Sequence, residues 1–100
     1  MSVLIVTAKV APEHTGDVEA AARRMFAAIE RAAPDGVKYA STRLADGTTY
    51  VAVLEVADGV DNPLPGIPEF VEFQQGLRGW VAEPPAAGPA GVVGNYRLFG

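Results

Sequence analysis

The sequence has no cysteine, which excludes disulfide bonds, thiolate nucleophiles and cysteine-ligated metals. It has one histidine, His14, and a single imidazole does not assemble a common metal site. Basic residues are scarce. Eight Lys and Arg against twelve Asp and Glu give a net charge of −4, the wrong balance for a nucleic-acid binder. Long apolar runs are missing as well. The run Val3 to Val6 gives way to Thr7, Ala8 and Lys9. That is far short of the ~20 apolar residues of a membrane-spanning helix, and unlike the basic start and longer apolar stretch of a signal peptide. The expectation is a cytoplasmic protein with no membrane or nucleic-acid partner. Phosphate-binding loops, nucleophile elbows and zinc-protease helices have no counterpart either. Gly88, Gly91 and Gly94 recur every third residue, but no helix follows them to receive a phosphate.

What the chain does contain is enough to fold. Apolar residues make up 49% of the 100, too many for a disordered chain, and the length suits one domain over residues 1–100. Ser2 to Val10 is a β-branched run of strand length, apolar on both faces up to Thr7. From Asp17 to Ala33, the residues Val18, Ala22, Met25, Ile29 and Ala32 recur at helical spacing. Phe26 widens the stripe, and Glu19, Arg23, Arg24, Glu30 and Arg31 take the opposite, polar face. Thr15 or Gly16 is a candidate cap, and Pro34 ends the helix.

Val37 to Leu44 and Thr48 to Val56 form a hairpin around Asp46-Gly47, a two-residue turn signal. That turn sets Arg43 opposite Tyr50, Ser41 opposite Ala52 and Tyr39 opposite Leu54. On the other face it sets Thr42 against Val51, Ala40 against Val53 and Lys38 against Glu55. Each face is chemically coherent, which supports the register. The face of Val37, Tyr39, Tyr50, Ala52, Leu54 and Val56 is the more apolar and should meet the helices. A second helix starts at Pro68 and runs to about Val81, with Phe70, Phe73, Leu77 and Trp80 as its stripe. Gly76 and Gly79 weaken it and mark candidate sites of close backbone approach or of fraying. Glu83 to Ala90, rich in Pro, Ala and Gly, reads as irregular. Gly91 to Phe99 reads as the last strand, with Val93, Asn95, Arg97 and Phe99 on one face.

The order β-α-β-β-α-β is the α+β, ferredoxin-like pattern, a four-stranded antiparallel sheet with two helices on one face. The other face would be bare in a single chain. On this reading it carries Val3, Ile5, Ala40, Val51, Val53, Val93 and Phe99, an apolar patch that calls for a partner. A two-fold homodimer packed sheet to sheet is the economical solution.

With these elements in this order over Ser2 to Phe99, the chain resembles the dimeric α+β barrel superfamily, and within it the antibiotic-biosynthesis-monooxygenase-like proteins. The resemblance implies a homodimer and, for the active members, oxygenation of polyketide rings or quinols without a cofactor. The family tends to carry a Glu near the end of the third strand, matched by Glu55, followed two positions on by an aromatic residue. Ala57 stands there instead. Active members often have a His-containing segment at the start of the second helix, whereas here it reads Pro65-Gly66-Ile67-Pro68-Glu69-Phe70. Haem-degrading members need a helix His and an Asn near the end of the first strand. Thr7 and Lys9 occupy that strand, which speaks against haem chemistry.

The residues with chemistry to offer are few. His14 is the one group with an ordinary pKa near neutrality, and its competing role is that of a solvated loop residue. Asn95 and Arg97, two apart on the expected last strand, could hold an enolate and a carbonyl oxygen or bond across a dimer. Tyr39 and Tyr50 could orient a phenol. Trp80 and Phe26 could orient a planar ring, or serve as packing. Glu55 opposite Lys38 reads as a cross-strand ion pair. The expectation is a cofactor-independent monooxygenase-like protein with no metal, acting on a small planar phenol, quinol or polyketide-type ligand. Its catalytic candidates are His14, Asn95 and Arg97, and its substrate-binding candidates are Tyr39, Tyr50, Trp80 and Phe26. The alternative is a non-catalytic dimeric module that binds a small ligand or acts as a scaffold; a third option is an accessory subunit of a biosynthetic complex, with Glu83 to Ala90 as its contact surface.

Overall fold

In the computed structural model, which describes residues 1–98, the strands are β1 (Ser2–Lys9), β2 (Val37–Arg43), β3 (Thr49–Val56) and β4 (Ala86–Ala90), and the helices are α1 (Thr15–Ala32) and α2 (Pro68–Trp80). The sheet runs β2-β3-β1-β4 with every pair antiparallel. This is the ferredoxin-like βαββαβ arrangement expected from the pattern. Among the described residues no helix is long and apolar enough to cross a membrane.

The hairpin register is the one read from the sequence, from Val37 opposite Val56 to Arg43 opposite Tyr50. Its tip differs. The connection has four residues, 45–48, closed by the Leu44 amide on the Thr49 carbonyl (2.8 Å) and the Gly47 amide on the Leu44 carbonyl (3.0 Å). Gly47 takes φ +77° there, a conformation glycine adopts without steric cost. Asp46 fastens the turn. Its carboxylate accepts the Thr48 amide (3.0 Å), the Thr49 amide (2.9 Å) and the Thr49 hydroxyl (2.6 Å). These bonds to the ionised form lower its pKa to about 2, the Thr49 hydroxyl contributing most.

Helix α1 begins at Thr15, two residues earlier than expected, after a 3-10 turn over Pro12–His14 that makes His14 its N-cap. It ends on Ala33, which takes a left-handed conformation (φ 45°) and donates its amide to the Ile29 carbonyl. The core lies between the helices and one face of the sheet. Met25 of α1, Leu54 of β3, Leu64 and Phe70 of α2 are buried together, with Leu4, Val37, Tyr39 and Val56 packed on them. A second cluster joins Val10, Val18 and Tyr50 to Phe73, Leu77 and Trp80. The inner face of the hairpin is therefore the face the alternation predicts.

The last strand is the main correction. The segment 86–90, expected to be irregular, pairs with β1 from Val3–Ala90 to Thr7–Ala86, while residues 91–98 lie beyond the sheet. Strand β4 is an edge strand, so it needs partners on one side only and tolerates Pro89 and Gly88. The alternating apolar residues that suggested the later segment are exposed, with Val93 at 104% and Tyr96 at 82%. Val93 is thus absent from the helix-free sheet face, and Phe99 lies outside the described residues. That face presents Ile5 beside Val53 and Gly88, and Val53 beside Ala40. Glu55 is buried on it with the Lys38 ammonium 3.8 Å away, the ion pair that the register implied.

Candidate functional site

A cavity of about 440 Å³ opens between α1, the hairpin and the middle of α2. Its position follows from side-chain size. Along the stretch of α1 that crosses the hairpin, Ala22 and Ala27 reach the cavity wall without filling it, as does Ala52 on β3. Larger residues close its ends. Phe26 and Tyr39 stack with ring centres 5.1 Å apart, and Tyr39 meets Phe70 edge-on at 6.4 Å. Phe73 and Leu77 of α2 complete an apolar wall. The volume falls in the range of small-molecule sites.

One pole of this cavity is polar. Tyr50, buried on β3, donates its hydroxyl to Glu19 Oε2 at 2.8 Å. Arg43, opposite Tyr50 across the hairpin, donates Nη1 to the same oxygen at 2.7 Å. Arg23, one turn along α1, holds Nη2 3.6 Å from Glu19 Oε1. Glu19 therefore sits among a phenol and two guanidinium groups. Hydrogen bonds from Tyr50 and Arg43 hold its carboxyl below the usual range. Burial, then the neighbouring Glu19, pushes the Tyr50 hydroxyl up, and burial alone does so for Tyr39. Near neutral pH the pole consists of a carboxylate, two cations and protonated phenols. No buried side-chain nitrogen or oxygen among the described residues is left without a hydrogen-bond partner.

Of the residues singled out in the sequence, Phe26, Tyr39 and Tyr50 converge on the cavity. Trp80 does not line it and packs against the cluster of Val10, Val18 and Tyr50. His14 stands at the start of α1 with Nδ1 2.9 Å from Asp17 Oδ2, away from the cavity wall. Asn95 and Arg97 follow β4 rather than sitting on a strand. The Asn95 side chain accepts the Leu98 amide at 2.9 Å, and the Arg97 guanidinium lies 5.0 Å from the Tyr96 ring centre. Neither lines the cavity.

Sequence reasoning missed Glu19, Arg23 and Arg43. The first two read as part of the solvated helix face. One signal was available. The inferred register put Arg43 beside Tyr50 on the core-facing side of the hairpin, and a charge there requires a counter-charge from the helix above.

No family model matches the sequence, and no curated protein matches it. Solved structures do. A Nitrosomonas europaea protein assigned as an antibiotic biosynthesis monooxygenase is 22% identical, with TM-score 0.77 over 93% of this chain and 99% of that one. SnoaB, a cofactor-independent oxygenase from Streptomyces nogalater, is 16% identical, with TM-score 0.71 over 96% of each chain. Rv0793 from Mycobacterium tuberculosis is 18% identical, with TM-score 0.74 over 94% of this chain and 96% of that one. At these identities the likeness is one of fold. The chain shares the fold of these solved structures, a ferredoxin-like four-stranded antiparallel sheet with two helices.

Proposed function

We propose that the protein is a cofactor-independent monooxygenase for a small planar phenol, quinol or polyketide-type compound, working as a homodimer joined through the helix-free sheet face. The observation that carries this reading is the 440 Å³ cavity with aromatic walls and a hydrogen-bonded cluster of Glu19, Arg43 and Tyr50 on its lining. Its walls suit a flat ring system, with the stacked Phe26 and Tyr39 rings forming one aromatic wall and the Tyr50 hydroxyl available to an oxygen substituent. The fold shared with SnoaB, a cofactor-independent oxygenase, supports the reaction class. His14, Asn95 and Arg97 have no part in this reading, because none lines the cavity.

The reaction needs no external reductant. A phenol and O₂ give a quinone and water. One oxygen atom becomes the new carbonyl and the other leaves as water with both hydrogens. The electrons come from the ring, so the protein has to supply orientation, exclusion of water and stabilisation of charge. The dimer reading rests on Ile5, Ala40, Val51 and Val53, which lie on the sheet face no helix covers.

The test is oxygen consumption with a panel of phenols, quinols and anthrones in chelator-treated buffer. Uptake matching substrate loss one to one is the expected result. Uptake no greater than the uncatalysed rate across the panel would leave the second reading, a ligand-binding dimeric module. The specific observation on that side is Ala57 in place of the family's aromatic residue, together with a second helix that opens without histidine.

A further inference from the structure

The charged pole has an unusual economy. Tyr50 and Arg43 both donate to one oxygen, Glu19 Oε2, at 2.8 and 2.7 Å. That oxygen lies on a cavity wall that is mostly apolar but also carries Glu30, Ser41 and Thr42, and an anionic ligand oxygen there would find the same two donors. Glu19 also has a second place to rest. Arg23, four residues along the helix, is already 3.6 Å from its other oxygen. A shift of the Glu19 side chain toward Arg23 keeps its charge paired and vacates the Arg43–Tyr50 donors. The guanidinium of Arg43 carries five N–H groups, and its side chain is 55% exposed, so a ligand can approach it from the cavity or from solvent.

We propose that the Arg43–Tyr50 pair is an anion-binding site which Glu19 occupies when the cavity is empty, and that the cavity takes planar aromatic ligands as preformed anions, with a carboxylate or phenolate oxygen replacing Glu19 Oε2. The proposal rests on the reading of the cavity as a ligand site and adds the charge state of the ligand. Two features point the same way. At the pole, Arg23, Arg43 and Glu19 sum to one positive charge, which an anionic ligand neutralises, while the fourth charged residue of the lining, Glu30, stands about three turns of α1 away from Glu19. No imidazole or amine lines the cavity, and Glu19, held ionised by two donors, is a poor acceptor for a phenol's proton. A ligand that must be charged to react therefore does best to arrive charged.

Calorimetric titration with 2-naphthoate and with its neutral isostere 2-naphthamide tests this. The wild-type protein should bind the anion about tenfold or more tightly than the amide, the scale of a hydrogen bond to a charged group. Glu19→Gln removes the competing charge and keeps an oxygen for Tyr50 and Arg43. It should tighten naphthoate binding several-fold, with naphthamide unchanged. Arg43→Gln should abolish the discrimination, and Arg43→Lys should retain part of it. Should Arg43→Gln fail to fold, the Glu19→Gln result decides alone. Equal affinity for the two probes, or weaker naphthoate binding in Glu19→Gln, overturns the proposal while leaving the cavity a ligand site. Binding of neither probe overturns both.

Discussion

The two glycines inside α2 should respond in opposite ways to the same substitution. Gly→Ala in a helix interior gains about 1 kcal/mol from backbone propensity alone, and less near a fraying end. At Gly79, the penultimate residue of α2, an added Cβ meets nothing within 4 Å, so Gly79→Ala should realise part of that gain. At Gly76 the same Cβ would stand 2.8 Å from Trp80 Cη2 and 2.9 Å from Cζ3. The ring cannot swing away freely, because it packs on the Val10, Val18 and Tyr50 cluster and the Trp80 carbonyl accepts the Ala11 amide at 2.9 Å. Overpacking of this kind costs about 1–3 kcal/mol, which cancels or exceeds the propensity gain. The two variants should therefore differ by about 0.5–2.5 kcal/mol, at about 4–8 °C in Tm per kcal/mol for a domain of this size. Thermal unfolding by circular dichroism gives the difference, and the fluorescence of Trp80, the one tryptophan in the chain, reports its displacement in Gly76→Ala alone. Equal stabilisation of both variants, with unchanged Trp80 emission, would refute the packing argument.

Other regions yield tests of the same kind. Asp46 has a folded pKa of about 2 against an ordinary value of 3.8. Its contribution is therefore fully present above about pH 4 and is lost as pH falls through 2. The Tm of the wild-type protein should decline more steeply over that interval than that of Asp46→Ala, and parallel curves would show that the turn bonds do not act through the carboxylate. Met25 has no exposed surface at the centre of the main core, so Met25→Ala should cost about 2–5 kcal/mol in denaturant unfolding, and a loss below 1 kcal/mol would mean that the core refills. Val53→Glu places a charge in the middle of the helix-free sheet face. It should convert the proposed dimer to monomer in sedimentation with little change in secondary structure, whereas a wild-type protein that already sediments as a monomer, or an unchanged mass in the variant, would overturn pairing through this face.

The hairpin was legible residue by residue because two independent signals agreed. The Asp46-Gly47 turn fixed one register, and alternation of side chains along both strands demanded the same one. The helices were legible from their apolar stripes to within two residues. Strand β4 was hidden because its pairing is carried by backbone groups at a sheet edge, where Ala86-Ala87-Gly88-Pro89-Ala90 carries no β propensity to notice. Meanwhile Val92, Gly94, Tyr96 and Leu98 imitate a strand while lying off the sheet. That displacement carried Asn95 and Arg97 away from the expected site. Phe26, Tyr39 and Tyr50 were legible as core-facing side chains, and they lie on the cavity wall. The charged residues of that wall were not legible, since Glu19 and Arg23 look like any solvated helix face until the tilt of α1 over the hairpin is known.

The central claim is that chemistry takes place in the space left by the small residues of α1 and β3, and filling that space tests it most directly. Ala52 lines the cavity and is only partly buried, so Ala52→Phe should occupy its interior without rebuilding the fold. Oxygen consumption with the best substrate of the panel should be lost in Ala52→Phe while its circular dichroism spectrum and melting remain close to wild type. Undiminished oxygen consumption in a folded Ala52→Phe protein would contradict the account and place the reaction elsewhere on the molecule.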